Sequence, residues 1–453
     1  MTDNTIEGVL AKALALCNPT AAEEKRITAV AEEAKKLVEQ KSKATSSEVR
    51  EIIFGGSFAK GTWLHGDADI DIFLKVDPSV SEERFEKLGV EIGRQALRKY
   101  KPKLRYSDHP YVEATVRGIR INVVPCYDVQ RGQWKSAADR SPFHTQYIME
   151  TLDVAKKEQV RLLKKFLKST GIYGAEISTG GFSGYVSEVL IAKYGSLEGA
   201  LAAAAEFRQG QVVSVGDYDA DISKGFSSPL VIIDPIDPRR NLGTAISPES
   251  VGRFALAARA FLHNPSEKFF ARQKPSVNKK LYRNVLVVEF SHRERSPDTI
   301  WGQLKRSANS VAKQLELAGF TVFRTTCNTD EKKSGAFAFL LESLALPEYM
   351  MRKGPEIARA KDMESFVMAA RSLAMWADRE MRVSAIVERK ATDAGQLVKT
   401  LLGRPPEANG IARDMITGRV KVYSASGRRR FPGLVKEAVD ELVSTENLIF
   451  FFK

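Results

Sequence analysis

Chemistry in this chain concentrates in one stretch, Phe54-Gly55-Gly56-Ser57-Phe58-Ala59-Lys60-Gly61-Thr62 followed by Asp67-Ala68-Asp69-Ile70-Asp71-Ile72-Phe73. The pattern predicts a strand, a glycine turn, a short helix and a second strand. Side chains alternate across a strand, so Asp69 and Asp71 project from one face while Ile70 and Ile72 enter a core. Two crowded carboxylates repel unless a cation lies between them, and hard oxygen ligands of this kind suit Mg²⁺. Gly55 and Gly56 let the backbone pass close to an anion. Ser57 adds a hydroxyl, and the start of the helix offers free N–H groups to phosphate oxygens. Singly, a Gly-Gly-Ser is a turn and an Asp-x-Asp an edge strand. Together, in this order, they read as a site for a nucleoside triphosphate and Mg²⁺, with phosphoryl or nucleotidyl transfer as the chemistry.

The elements that must position these groups are legible around them. Val49 to Phe54 forms the strand leading into the glycines, after helical text from Thr5 to about Gln40. Ser81 to Tyr100 reads as a helix capped by Ser81, with Glu82 and Glu83 in its first turn. Tyr111 to Val116 and Ile119 to Tyr127 form a hairpin around a two-residue turn at Arg117-Gly118. Counting back from that turn sets Glu113 opposite Asn122 on one face, with Cβ atoms about 4.5–5.5 Å apart.

The chain is 453 residues long, too long for one core, and three or four domains are expected. Its formal charge is +13 and 43% of its residues are hydrophobic, which suits a globular protein with a polyanionic partner such as RNA. Three dispersed cysteines, Cys17, Cys126 and Cys327, make neither a disulfide framework nor a zinc knuckle and fit a reducing interior. No apolar run reaches the ~20 residues that cross a bilayer. A soluble, cytoplasmic protein is expected.

The string GGSFAKGT followed by DADIDIF closely resembles the signature of polymerase-beta-like nucleotidyltransferases. Its Ala-Lys-Gly-Thr arm resembles the archaeal-type (class I) CCA-adding tRNA nucleotidyltransferases, not the bacterial and eukaryotic type, in which an Arg-Asp pair follows the glycines. The resemblance implies addition of C, C and A to a tRNA 3′ end from CTP and ATP, with two Mg²⁺ ions and release of pyrophosphate. It implies a third carboxylate before the Val123-Val124-Pro125-Cys126-Tyr127 string, where this chain has Asn122. An amide oxygen still ligates Mg²⁺, without the charge that eases deprotonation of a metal-bound hydroxyl. Glu113, opposite it, is the candidate to supply that charge. The catalytic set is thus Asp69, Asp71, Asn122 and Glu113, of which Asp69, Asp71 and Asn122 are the metal ligands.

Gly56, Ser57 and Lys60 are the nucleotide-binding residues of the head. The resemblance adds His144, Lys164 and Tyr173 for the triphosphate, and Arg240, with Arg239 as competitor, for reading the incoming base. Lys164 lies on an amphipathic helix whose polar side carries Arg161, Lys164 and Lys165. Downstream, the strand, helix, strand, strand order from Asn284 to Leu341 suggests a ferredoxin-like half-sheet without an aromatic RNA-reading string. The basic tail, with Arg428-Arg429-Arg430, is read as a grip on RNA phosphates.

The expected fold is a multidomain α+β protein. A polymerase-beta-like nucleotidyltransferase head of mixed sheet and helices spans 1–142, and a helical central domain binding nucleotide and tRNA spans 143–265. A ferredoxin-like body follows at 266–380 and an α/β basic tRNA-binding tail at 381–453. Expected partners are tRNA, CTP and ATP, no membrane, with a homodimer left open. A poly(A) polymerase, a nucleotide second-messenger synthase and a catalytically weakened RNA-binding relative are the rival readings, the last because of Asn122.

Overall fold

The computed structural model describes residues 5–106, 109–219, 221, 224–369, 371–413, 415–428 and 430–450. It divides into two compact units: residues 1–274 with the segment from Glu446, and residues 275–445.

In the first unit, helices α1 (Ile6–Cys17) and α2 (Ala21–Thr45) precede strand β1 (Val49–Gly55), helix α3 (Gly56–Lys60) and strand β2 (Asp69–Val76). Helix α4 (Glu82–Ala96) begins where Ser81 accepts a hydrogen bond from the Arg84 amide, as the Ser-Glu-Glu start predicts. It stops at Ala96, short of Tyr100, and a 3₁₀ turn covers Arg98–Tyr100. Strands β3 (Lys103–Tyr106), β4 (Pro110–Val116) and β5 (Ile119–Tyr127) complete a sheet of order β1-β2-β5-β4-β3, in which only β2 and β5 run parallel.

The inner face of this sheet carries Ile70, Ile72, Val112, Ile121 and Val123, packed on Phe85, Leu88 and Ile92 of α4 and on Ile27, Val30 and Val38 of α2. Helix α4 lies against the strands because two of its inward positions are glycine. A Cβ on Gly89 would stand 2.6 Å from Pro125 Cγ, and one on Gly93 2.7 Å from Val112 Cβ.

A second core in this unit is helical. It is built by α5 (Arg140–Thr151), α6 (Val154–Ser169), α7 (Gly184–Tyr194) and α8 (Leu197–Ala205), then strands β6 (Gln211–Val213) and β7 (Leu230–Ile232) and helix α9 (Pro248–His263). The helical run expected over 184–205 is broken at Gly195, whose φ of 80° turns the chain. Phe166 stacks on Phe269 with ring centroids 5.7 Å apart, among Phe254, Phe261 and Phe270. Val9, Ala13 and Cys17 of α1 and Ile449 near the end of the chain also belong to this core. Those residues were expected in the head and the tail.

The second unit opens with β8 (Ser276–Val277) and β9 (Val285–Ser291), then α10 (Pro297–Leu317), β10 (Val322–Thr329) and β11 (Ser334–Leu341). An excursion follows: β12 (Tyr349–Glu356), α11 (Ala360–Ala369), β13 (Ser372–Ala377) and β14 (Arg382–Glu388) form their own sheet of order β12-β14-β13. The chain returns with α12 (Ala394–Leu402), α13 (Pro406–Asn409) and β15 (Lys421–Ser424), and the main sheet reads β10-β11-β9-β15. The expected half-sheet is therefore a whole β-α-β-β-α-β sheet, whose last helix and strand lie beyond the excursion. The division expected at 380/381 falls in the turn between the paired strands β13 and β14.

Helix α14 (Gly433–Leu442) covers the face opposite α10 and α12, and β16 (Ser444–Thr445) pairs with β8. With both faces buried, β11 reads as an apolar run from Gly335 to Leu341, and β9 as one interrupted by Glu289. Helix α15 (Asn447–Phe450) belongs to the first unit. No helix among the described residues is long and apolar enough to cross a membrane.

Replacing Gly93 by valine forces α4 off β4, and overpacking of this kind destabilises by about 1–3 kcal/mol. A urea titration should show the midpoint of the first unit's transition falling, and an unchanged midpoint would contradict this packing.

Candidate active site

The glycine loop and the acid strand meet at touching distance. Gly55 pairs with Asp71 across β1 and β2. Gly56 has φ of 63°, and a Cβ on it would stand 2.0 Å from Asp71 Oδ2. Only glycine fits there, on both backbone and steric grounds. Ser57 lies on α3, a helix of five residues, and its carbonyl accepts from the Thr62 amide at 3.0 Å, which closes the loop.

Asp69 and Asp71 face outward on β2 while Ile70 and Ile72 are fully buried, as the alternation predicts. The parallel strand β5 sets Arg120 beside Asp69 and Asn122 beside Asp71. Arg120 Nε donates to Asp69 Oδ1 at 2.7 Å, and Asn122 Nδ2 donates to Asp71 Oδ1 at 2.9 Å. Burial pushes both carboxyls above their ordinary range. For Asp69 this is partly offset by the Arg120 guanidinium, and for Asp71 by the Asn122 hydrogen bond.

The hairpin takes the expected register: Val116 faces Ile119 across Arg117-Gly118, and Glu113 faces Asn122. The Glu113 carboxylate nevertheless turns to β3, accepting from Arg105 Nε at 3.1 Å and Nη2 at 2.9 Å. The charge proposed to replace a third acid is already neutralised by a neighbouring arginine.

Among the described residues no group of three or more His, Cys, Asp or Glu is arranged to hold a metal. The site offers two carboxylates instead, plus one further oxygen: Asn122 Oδ1 is buried and has no hydrogen-bond partner. An orphaned buried acceptor beside two acids whose burial favours neutralisation fits a hard cation that keeps part of its water shell.

Helix α6 grips the loop that joins α3 to β2. Arg161, Lys164 and Lys168 recur on one face at helical spacing. Arg161 donates to the Gly61 carbonyl at 2.7 Å and to the Trp63 carbonyl at 3.2 Å, and Lys168 pairs with Asp67. Lys164, read from the sequence as part of a polar face, is 2% exposed. Its ammonium donates to Thr62 Oγ1 at 3.0 Å, the Thr62 carbonyl at 3.2 Å and Glu188 Oε1 at 3.0 Å. Glu188 Oε2 pairs with Lys60. Burial alone would raise the Glu188 carboxyl, yet Lys164 and Lys60 outweigh it and hold the group down at about 2.

A second hub is Asp234, also fully buried. Its Oδ2 accepts from His144 Nε2 at 2.9 Å and from Arg240 Nη1 at 3.3 Å, and its Oδ1 from the Ile236 amide at 3.0 Å. His144 stacks on Tyr185 with centroids 4.0 Å apart. Burial lowers the His144 pKa below the ordinary imidazole value, against the pull of Asp234. The Asp234 carboxyl, which burial would raise, is held below its usual range by the His144 hydrogen bond. The loop carrying Arg240 is tied to residues before and at the start of α5: Arg131 donates to the Pro235 and Ile236 carbonyls, and Arg140 pairs with Asp237 at 3.0 Å. Arg239 is more exposed and lies 3.8 Å from Asp237.

Tyr173 packs beneath the Lys168 ammonium, 5.0 Å from its ring centroid, with its hydroxyl close to Gly184. Asp69, Asp71, Asn122, Gly56, Ser57, Lys60, Lys164, Tyr173, His144 and Arg240 thus all lie in the first unit. The tail arginines lie in the second. Arg428 stacks on Tyr423 at 4.2 Å and pairs with Glu289 at 3.3 Å, Arg430 is exposed, and Arg429 lies outside the described residues.

Reading the sequence missed Arg120, Glu188, Tyr185 and Asp234. For Glu188 the signal is a lone acid in the apolar run Val186-Ser187-Glu188-Val189-Leu190-Ile191. For Asp234 it is an acid directly following the apolar run Leu230-Val231-Ile232-Ile233.

Comparison with known proteins matches three family models in order along the chain. These are a nucleotidyltransferase domain over 31–149, the second domain of tRNA nucleotidyltransferase over 158–271, and the C-terminal domain of CCA-adding enzyme over 283–411. The CCA-adding enzyme of Pyrobaculum islandicum is 34% identical over 88% of this chain and 94% of that protein. That of Saccharolobus shibatae is 34% identical over 81% and 88%, and that of Methanothermobacter thermautotrophicus 33% over 78% and 80%. Among solved structures, the Cid1 poly(U) polymerase with Mg and 3′-dATP bound aligns at 17% identity and a TM-score of 0.46, over 58% of this chain and 98% of that one. E. coli MS115-1 CdnC with ATP aligns at 19% and 0.44, over 59% and 96%. With family models covering head, central region and C-terminal module in sequence, and relatives matched over most of their length, this chain belongs to the CCA-adding enzymes, tRNA nucleotidyltransferases with a nucleotidyltransferase-domain head.

Proposed function

We propose that this chain adds CCA to tRNA 3′ ends from CTP and ATP by in-line attack of the RNA 3′-hydroxyl on the α-phosphorus, releasing pyrophosphate. The observation that carries this reading is the pairing of Asp69 and Asp71 on one face of β2, directly against the Gly55-Gly56-Ser57 loop, with the orphaned Asn122 oxygen beside them. Asp69, Asp71 and Asn122 would hold two Mg²⁺ ions, which when bound ease loss of the hydroxyl proton and neutralise charge on the triphosphate.

The chain's own groups do the rest. Ser57 and the backbone around Gly56 receive phosphate oxygens, Lys60, His144 and Tyr173 surround the polyphosphate, and Lys164 supports that wall from behind through Thr62 and Glu188. Arg240 keeps one nitrogen on Asp234, which supports a fixed guanidinium plane for meeting the acceptor edges of cytosine or adenine. Arg428, Arg429 and Arg430 serve RNA phosphates. The three free, buried cysteines agree with a cytoplasmic setting.

The deciding experiment offers tRNAs ending before, within and after CCA, with CTP and ATP singly and together. Addition of C only to the shorter ends, and of A only after CC, is the expected result. Extension from ATP alone on every tRNA would favour a poly(A) polymerase instead.

Asp69→Ala and Asp71→Ala should each abolish incorporation while leaving tRNA retention on a filter unchanged. Retained synthesis in both would end the metal-site account. The amide at 122 marks a handicapped chemical step, so Asn122→Asp should raise kcat by about tenfold, the worth of ~1.4 kcal/mol in the barrier. Because Arg105 already neutralises Glu113, adding Glu113→Gln to that variant should keep the gain, and its loss would return the third charge to Glu113.

A further inference from the structure

Glu188 is a charge without access to water at the heart of the site. Its carboxylate is 0% exposed, and α7 surrounds it with buried Val186, Val189, Leu190 and Ile191. A buried carboxylate is costly unless cations and hydrogen bonds satisfy it. Here it receives two lysines and a hydroxyl: Lys164 and Thr62 on Oε1, Lys60 on Oε2. Two lysines thus converge on one carboxylate.

The two lysines are not equivalent. An ammonium has three donors. Those of Lys164 are all occupied, by Glu188 Oε1 and by the hydroxyl and carbonyl of Thr62. Lys60 makes one hydrogen bond among the described residues, to Glu188, while its ammonium lies 5.4 Å from the Tyr185 ring centroid. It sits on α3 one turn from Ser57, on the loop whose backbone touches Asp71. The lysine with donors to offer is thus the one on the glycine loop, and Glu188 sets its direction.

We propose that Glu188 is a positioning residue for the polyphosphate of the incoming nucleotide. It fixes Lys164 as a strut against Thr62 and aims Lys60 at the phosphates that CTP and ATP share. This deepens, and rests on, the reading of the site as a nucleoside-triphosphate site. Its effect passes through a group common to both nucleotides, so it acts on affinity for the triphosphate and not on the choice between C and A. Glutamine in its place keeps the volume but turns an amide donor toward one of two lysines, and that lysine loses its partner.

The test uses the full chain with Glu188→Gln, Glu188→Asp, Lys60→Met and the Glu188→Gln/Lys60→Met double variant. KM and kcat are measured for CTP on a tRNA lacking CCA and for ATP on a tRNA ending in CC. Binding of inorganic tripolyphosphate is measured by calorimetry, and melting temperature is recorded for every variant. Glu188→Gln should raise KM for CTP and ATP by the same factor and weaken tripolyphosphate binding alike. About tenfold is expected, the size of one charge-assisted hydrogen bond lost. Glu188→Asp should recover part of the loss, and the double variant should bind no worse than Lys60→Met alone. A folded Glu188→Gln protein with a lower melting temperature but unaltered KM and tripolyphosphate affinity would reduce Glu188 to a packing role and overturn the proposal. If that variant does not fold, unaltered tripolyphosphate binding by Lys60→Met overturns it equally. A wild-type chain that binds tripolyphosphate but extends no tRNA would defeat the proposed function while leaving the calorimetric comparison to decide the role of Glu188.

Discussion

Gly56 and Asp71 share a space with no room for a Cβ. From that close approach the rest of the site follows by register. Gly55 faces Asp71, Asp71 faces Asn122, and Asn122 faces Glu113, so four strands place their functional positions in one row across the sheet. If β2, β5 or β4 slipped by one residue, its own Asp71, Asn122 or Glu113 would turn into the hydrophobic core. The buried alternation of Ile70, Ile72, Ile121 and Val123 guards against that slip, because the core face tolerates no acid in their place.

The price of crowding acids is met locally and by different means on each strand. Arg120 bonds Asp69, an amide bonds Asp71, and Arg105 draws Glu113 sideways. Beneath them, α6 and α7 bring a complementary layer of charge, in which Arg161, Lys164 and Lys168 bind the backbone and side chains of the α3–β2 loop. The loop is therefore held from two sides: by the sheet through glycine, and by the helices through cations. Asp234 plays the matching part for the segment that carries Arg240, joining it to His144 on α5.

Local signals made much of this legible beforehand. The turn at Arg117-Gly118, with φ of 49° and 81°, commits both positions to the left-handed region, and a two-residue turn leaves one register for the hairpin. That is why Glu113 and Asn122 could be paired by counting. The Ser81 cap and the Asp69/Asp71 alternation rest on equally short-range rules. What escaped is non-local. Glu113 points to Arg105 because β3 lies beside it, and no periodicity carries that information. Periodicity placed Lys164 on the polar side of its helix, and helical spacing cannot reveal that Thr62 and Glu188 arrive from distant segments to cover it. The ferredoxin-like sheet was half visible because β12, β13, β14 and α11 separate its first three strands from the helix and strand that finish it.

The helical core of the first unit has one further property. Val9 of α1 and Ile449 of α15 are both buried in it, although nearly the whole described chain lies between them. Arg253 of α9 also pairs with Glu446 at the start of that last turn. A ribosome delivers the N-terminal end first, so the aromatic faces around Phe254 and Phe261 emerge long before the residues that close over them. Order of synthesis and order of completion are thus inverted. The core that holds Phe254 and Phe261 takes its last described residue after every described strand of the other unit has been made.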